Sequence, residues 1–279
     1  MYIGAHVSTR GGFLKAAERA RAAGAGAFQY FSKNPRSLQL KAPNLRDTEA
    51  CLRYCRTHGL QSIVHTAYVV NPATGMTQGN ELYAATVASL RNDLLIAEGC
   101  GSSGIVVHFG HLKSADPLTG YKNIIQCLND VLKDWHGQTK ILLENQAGDH
   151  GPMGVTMEEM VQIRNLCHAP ERIGFCLDTC HAFASGMWSG QPDDEWWNKG
   201  EALGYWATLG AVHLNDSRYG AGSLKDRHER VGKGRIGERG LRWLLEHETI
   251  RSIPVILESA PGEDGTHQED IHMLYSWFE

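Results

Sequence analysis

Short apolar runs alternate with longer amphipathic stretches from one end of the chain to the other, and this alternation limits the fold more than any other feature. The runs are "YIGAH" (2–6), "AFQYF" (27–31), "SIVH" (62–65), "GIVVH" (104–108), "KILLE" (140–144), "IGFCLD" (173–178), "GAVHL" (210–214) and "IPVILE" (253–258). Most are almost continuously apolar, as strands buried on both faces must be. Between them lie helical patterns such as "GGFLKAAERARAAG" and "ELYAATVASLRNDLLIAEG". In the second, Leu82, Ala85, Leu90, Leu94 and Leu95 recur near the helical period. "DTEACLRYCRTHG" predicts a helix opened by an Asp–Thr cap and stopped at Gly59. Such alternation implies a parallel sheet covered by helices, and eight units within about 260 residues fit a closed (β/α)8 barrel. An open doubly wound sheet is the alternative, but no glycine-rich phosphate loop follows the first strand. No linker or repeat divides the chain, so residues 1–279 are expected to form one α/β TIM-barrel domain.

Composition narrows the class. With 42% hydrophobic and 21% charged residues the chain can bury a large core. Its apolar runs are too short to span a bilayer, and its first residues lack the basic-then-apolar pattern of a signal peptide. Seven scattered cysteines predict buried thiols in a reducing, cytoplasmic setting rather than a disulfide framework. Two stretches exceed a minimal barrel connection, 66–78 and 184–200, and both are expected as working loops on the strand C-terminal side. Trp196 and Trp197 in the second are expected to pack that loop down rather than to stack on bases.

The strand ends carry the chemistry. His65, His108, Glu144 and Asp178 end strands three to six, His213 lies near the end of strand seven, and Glu258 ends strand eight. In a barrel these positions converge on one mouth. Three carboxylates brought together there would repel one another and lose solvation, a conflict that divalent cations resolve. Mixed imidazole and carboxylate without thiolate suits zinc or manganese better than magnesium or calcium. His181 follows Asp178 by three residues, and Asp226 and His228 are two apart, so these three can hold one further ion. Lys225, Arg227, Arg230, Lys233 and Arg235 surround the last pair and point to an anionic substrate. The net charge of −4 does not argue against that, because the four carboxylates given to metal would account for all of it. Two cations roughly 3.5–4 Å apart can stabilise both attacking and leaving oxygens at phosphorus, and Glu144, in the middle of the strand set, is the natural bridge.

The stretches "GAHVSTRGG", "FSKNPRS", "HTAYVVN", "VVHFGH", "LLENQAG", "LDTCHAFASG", "HLNDSRYGAGSLKDRHERVGKGRIG" and "ILES" resemble, in order, the motifs of the endonuclease IV family of zinc-dependent abasic-site endonucleases. The resemblance spans residues 1 to about 262 and implies a TIM barrel with three zinc ions, manganese being admissible in one or more sites. It implies hydrolysis of the phosphodiester 5′ to abasic sites in duplex DNA, leaving a 3′-hydroxyl and a 5′-deoxyribose phosphate, with trimming of blocked 3′ ends. By the same resemblance His65, His108 and Glu144 would hold the first ion. Glu144, Asp178, His213 and Glu258 would hold the second, and His181, Asp226 and His228 the third, with Glu144, Asp178 and Glu258 as the catalytic carboxylates. Arg36, Tyr68 and Val69 would be wedged into the stack of a bent duplex. "HFGH" is one residue shorter than the usual "HPGSH", Pro35 replaces a glutamine, Lys233 a glutamate, and "ESAPG" departs from the usual ending. None of these removes a ligand. His6, at the end of strand one, is expected to face the same mouth without being a ligand, bonding a ligand or a phosphate, or simply packing. The expected protein is a monomer without a membrane segment. A xylose-isomerase-like sugar isomerase or epimerase is the rival reading, since Glu144, Asp178, His213 and Glu258 alone would serve it; a metal-stabilised lesion-binding protein without turnover is a third.

Overall fold

A computed structural model describes all residues except 76–80, 113–115, 264 and 279. Eight parallel strands close into a barrel: β1 (Tyr2–His6), β2 (Ala27–Phe31), β3 (Gln61–His65), β4 (Gly104–His108), β5 (Lys140–Glu144), β6 (Ile173–Asp178), β7 (Leu209–His213) and, after a two-stranded arm of β8 (Asp216–Ser217) and β9 (His228–Glu229), β10 (Pro254–Leu257). The closing contact pairs Tyr2 with Pro254 and Ala5 with Leu257. The helices are α1 (Phe13–Ala22), α2 (Leu45–His58), α3 (Glu81–Cys100), α4 (Pro117–Leu132), α5 (Met157–Leu166), α6 (Thr179–Ser185), α7 (Asp194–Leu203), α8 (Gly237–Glu246), α9 (Glu248–Arg251) and α10 (Gln268–Ser276). The expected barrel is the fold observed.

Alternation along the strands stacks side chains inside the barrel in layers. Ala27, Ile63, Val106, Leu142, Cys176, Ala211 and Ile256 form one dry interior layer. Two residues further along each strand direction come Gln29, His65, His108, Glu144, Asp178, His213 and Glu258, and β1 adds His6 two residues after Gly4. The polar ring at the mouth is thus the next layer of the same barrel, resting on an apolar floor.

Several local expectations are corrected. β7 is shifted by one residue, so His213 ends it, and β10 stops at Leu257, leaving Glu258 just beyond. Helix α2 begins at Leu45, capped by Asn44, whose side chain accepts from the Asp47 N–H. Asp47 instead caps α1, accepting from Phe13 N at 2.8 Å and Leu14 N at 3.2 Å. On α3, Leu82 and Leu95 are exposed, while Ser89, Asn92 and Asp93 are buried with Leu90 and Leu94. The reason is a buried ion pair between Asp93 and Lys33, which also binds the Ser89 carbonyl at 3.0 Å. The stretch 184–200 is not one loop: from Asp194 it is helix α7, capped by the Asp193 carboxylate. Trp196 packs against Trp188 and Trp206, and Trp197 lies flat on Trp206, so both tryptophans pack α7 down as expected. Residues 76–78 of the other long connection lie outside the described residues. All seven cysteines are free and buried, and no helix among the described residues is long and apolar enough to cross a membrane.

Candidate metal centre

Glu144 occupies the centre of the mouth, with His108 Nε2 3.0 Å and His65 Nε2 3.9 Å from its Oε2. His213 Nδ1 and His181 Nδ1 lie 3.0 and 3.4 Å from its Oε1. Backbone carbonyls help to aim two of the imidazoles. His65 Nδ1 bonds the Thr66 carbonyl at 2.7 Å, and His181 Nδ1 bonds the Asn145 carbonyl at 2.9 Å. His213 Nδ1 also lies 3.1 Å from Glu258 Oε2. Two asparagines hold Asp178: Asn215 Nδ2 donates to its carboxylate Oδ2 at 2.7 Å, and Asn145 Oδ1 accepts from its backbone N–H at 2.8 Å.

The third set comes from different elements. His181 stands on α6, whose first turn is capped by the Asp178 carboxylate. Asp226 and His228 arrive on the arm formed by β8, β9 and the loop between them. The two Asp226 oxygens lie 3.3 Å from His181 Nε2 and 3.2 Å from His228 Nε2, and His228 Nε2 is 3.6 Å from Asp178 Oδ2. The arm is fastened at its root by Asp216, a fully buried carboxylate. It accepts backbone N–H bonds from Ser217 at 2.8 Å, Gly234 at 2.9 Å, Ile236 at 2.9 Å and Gly237 at 3.2 Å. A β-carbon on Gly234 would overlap the Asp216 carboxylate and the Ser217 carbonyl. Gly234→Ala is therefore expected to destabilise the fold by about 1–3 kcal/mol, the usual cost of overpacking, as read from denaturant unfolding; an unchanged midpoint would show that the turn can relax.

Charge balance shows what this mouth needs. Burial would raise the Glu144 carboxyl, but the His108 and His213 imidazoles hold it well below its usual range. Burial opposes ionisation of Glu258 too, yet His213 and His65 bring it down to about 2. Burial disfavours charge on His181 and His213, yet Asp178, Asp226 and Glu144 raise the first, and Cys176, Glu258 and Glu144 the second, well above the ordinary imidazole value. His65 and His6, where burial prevails, fall to about 4. Buried carboxylates here demand positive charge, supplied either by protons on imidazole or by cations. Glu144 Oε2, His181 Nε2 and His228 Nε2 are buried and lie within ion-pair distance of other ligand-type atoms, yet none makes a well-directed hydrogen bond. Such orphaned acceptors and ring nitrogens, grouped within ligand distance of one another, fit cations.

Two of the grouped sets, His65–His108–Glu144 and Glu144–Asp178–His213–Glu258, coincide with those read from the motifs. The third region groups Asp178, His181 and His228, and separately Cys180, Asp226 and His228. Sequence reasoning does not anticipate Cys180 there; burial and the nearby Asp178 push its thiol up to about 12, so it remains protonated and a poor ligand. It also misses Gln29, Asn145 and Asn215, which are polar but not of ligand type.

The rim carries the remaining candidates. Tyr68 and Val69 are exposed, and the Tyr68 ring lies 5.8 Å from that of His65. The Tyr68 N–H donates to the Pro35 carbonyl at 2.8 Å, tying its loop to the one that carries exposed Arg36. The shortened loop after His108 is tied down by Asn71, which bonds both the N–H and the carbonyl of His111. Lys225 and Arg227 are exposed on the arm, and Lys233 and Arg235 on the turn that follows it, with the Lys225 ammonium over the Tyr219 ring. Arg230 has acidic neighbours on α10. Its guanidinium turns to α10 and pairs with Asp270 at 2.8 Å and Glu269 at 3.6 Å, so its charge is already matched.

A closed barrel with clustered imidazoles and carboxylates at its mouth defines a class, and the model of the xylose isomerase-like TIM barrel family matches residues 17–277. Over 97% of its length the chain is 38% identical to a Symbiobacterium thermophilum protein named Probable endonuclease 4, of which it covers 97%. The crystal structure of endonuclease IV from Thermus thermophilus superposes with a TM-score of 0.85 at 29% identity, over 99% of this chain and 98% of that one. The chain belongs to the endonuclease 4 family. A D-tagatose 3-epimerase-like protein shares the barrel at a TM-score of 0.71 and 18% identity, over 99% of this chain and 97% of that one, a likeness of fold alone.

Proposed function

We propose that the chain is a zinc-dependent DNA-repair endonuclease that hydrolyses the phosphodiester 5′ to abasic sites in duplex DNA, leaving a 3′-hydroxyl and a 5′-deoxyribose phosphate, and that also trims blocked 3′ ends. The observation that carries this reading is the third set of donors: Asp226 lies between His181 and His228. A sugar isomerase has no need of that set, nor of the basic arm that presents it. Three cations held by His65, His108 and Glu144, by Glu144, Asp178, His213 and Glu258, and by His181, Asp226 and His228 would neutralise charge at phosphorus and acidify the attacking water. Manganese would be tolerated by the same donors.

The chain's own groups supply the rest. Glu144 belongs to two of the sets and keeps them in register. Asp178 and Glu258 bring the opposing negative charge that holds cations close. Exposed Lys225, Arg227, Lys233 and Arg235 would bind the strand backbone, contacts that position without reading sequence. Arg36, Tyr68 and Val69, beside the mouth, would fill the gap left by a flipped nucleotide. Arg230, of the same set, is paired with Asp270 and would exchange that partner for a backbone phosphate. One barrel domain of 279 residues acting as a monomer, in the reducing compartment that its free thiols suit, accounts for these features.

The test is incision of a synthetic duplex with one abasic site by protein of measured zinc content. Brief EDTA is expected to leave incision nearly intact, and prolonged phenanthroline to abolish it, because so many ligands release cations slowly. Full incision by metal-free protein would sink the reading. Turnover of ketoses with no incision would return the chain to the isomerases.

A further inference from the structure

The polar layer at the mouth takes one side chain from each barrel strand or its end, and Gln29 is its one member that is neither a titratable group nor a usual metal ligand. It is wholly buried. Burying a carboxamide is costly unless its donors and acceptor are all used. Here they are used on the site itself. Gln29 Nε2 donates to Glu258 Oε1 at 2.6 Å and lies 3.2 Å from His6 Nδ1, while Gln29 Oε1 is 2.8 Å from His213 Nε2.

We infer that Gln29 is a positioning residue for the cluster of Glu144, Asp178, His213 and Glu258: it decides which nitrogen of His213 and which oxygen of Glu258 face that cluster. The inference rests on reading the cluster as a cation site. The orientation of the amide follows from its partners. Reversed, it would set an amide oxygen 2.6 Å from a carboxylate oxygen with no proton between them. The amide oxygen therefore faces His213, and His213 Nε2 must carry the proton that joins them. With a cation in the cluster, His213 Nδ1 is then the bare nitrogen that faces it, 3.0 Å from Glu144 Oε1 and 3.1 Å from Glu258 Oε2. Glu258 Oε1 is taken by the amide, which leaves Oε2 on the cluster side. One side chain thus sets two ligands, one from β7 and one at the end of β10. His6 stands behind Gln29, accepting its second N–H, and among the described residues its side chain is hydrogen-bonded to no member of the cluster. Outer partners of this kind typically change metal affinity by 10–100-fold.

The experiment compares wild-type protein with Gln29→Met, which keeps the length and apolar bulk of the side chain and removes its amide. Zinc stoichiometry and affinity are read by titration against a competing chelator, with the fold checked by thermal melting of the metal-free forms. The expected result is one ion weakened about 10–100-fold in Q29M, the others bound as in wild type, and a lower kcat with little change in KM for the duplex. All ions bound with wild-type affinity by Q29M would overturn the inference. Wild-type protein that takes up no zinc would overturn the cation reading beneath it, a distinct outcome. If Q29M fails to fold, nitrogen-15 spectra of the histidines in unaltered, zinc-loaded protein decide the matter. They should show His213 protonated at Nε2 and metallated at Nδ1, and the opposite pattern would overturn the inference.

Discussion

Replacing Glu144 with alanine is expected to lower the turnover of abasic-duplex incision by at least ~10³-fold, the scale on which catalytic electrostatic groups act. The reason is geometric. Glu144 is almost wholly buried, and imidazoles from β3, β4, β7 and α6 all lie within 4 Å of its two oxygens. Its two oxygens serve different sets: Oε2 faces His65 and His108, and Oε1 faces His213 and His181. Glu258 Oε2 and Asp178 Oδ2 reach His213 Nδ1 at 3.1 and 4.0 Å, but among the described residues neither pairs with His65 or His108, as Glu144 does. The variant should also hold fewer zinc ions, because two sets lose a donor at once. Glu144→Gln separates charge from shape, keeping the volume while removing the negative charge, and should also fall far below wild type. Single-turnover incision beside zinc content is the measurement. Activity within tenfold of wild type would assign the shared role to another residue.

Much of the site is legible in the sequence because a strand entering a barrel mouth makes a sharp change, from an apolar run to a polar residue at its end. His65, His108, Glu144 and Asp178 each mark that change, so their convergence can be read without coordinates. Gln29 cannot be read the same way. Its strand continues two residues further to Phe31, and glutamine carries no ligand signature. The signal that finds it is the two-residue period counted from Ala27, in step with Ile63 and His65 on the next strand. Burial on α3 escapes the periodic pattern for another reason: its apolar residues at Leu82 and Leu95 face out, while Asp93 faces in to meet Lys33, 60 residues earlier in the chain. Arg230 is a similar case, since the charge is visible in the sequence and its partner Asp270, 40 residues on, is not. Local pattern reveals which residues can do chemistry. Only the closed barrel reveals which of them are already engaged.

Recognition and chemistry should separate when Asp226 is compared with Arg36 and Tyr68. Asp226→Ala is expected to remove one cation and to lower incision by ~10²–10³-fold, the effect of losing one preorganised electrostatic group. Both its oxygens face imidazoles, and burial notwithstanding, His181 and His228 hold its carboxyl well below the usual range. Arg36 and Tyr68 touch none of the site's carboxylates by any ion pair or hydrogen bond among the described residues; Tyr68 is 67% exposed and meets the site through ring contacts with Phe31 and His65. Replacing both by alanine should therefore leave zinc content unchanged. Its cost should fall on holding the flipped state, at about 1–3 kcal/mol for each stacking group lost. A duplex already unpaired opposite the lesion is cheaper to distort, so the double variant should recover part of its rate on that substrate. Asp226→Ala should fail equally on both, because unpairing does nothing for charge at the phosphate. The ratio of incision rates on paired and unpaired abasic DNA, measured with zinc content for each variant, decides the point. Loss of zinc from the Arg36→Ala/Tyr68→Ala variant, or rescue of Asp226→Ala by unpairing, would mean that the rim and the metal centre are one device and not two.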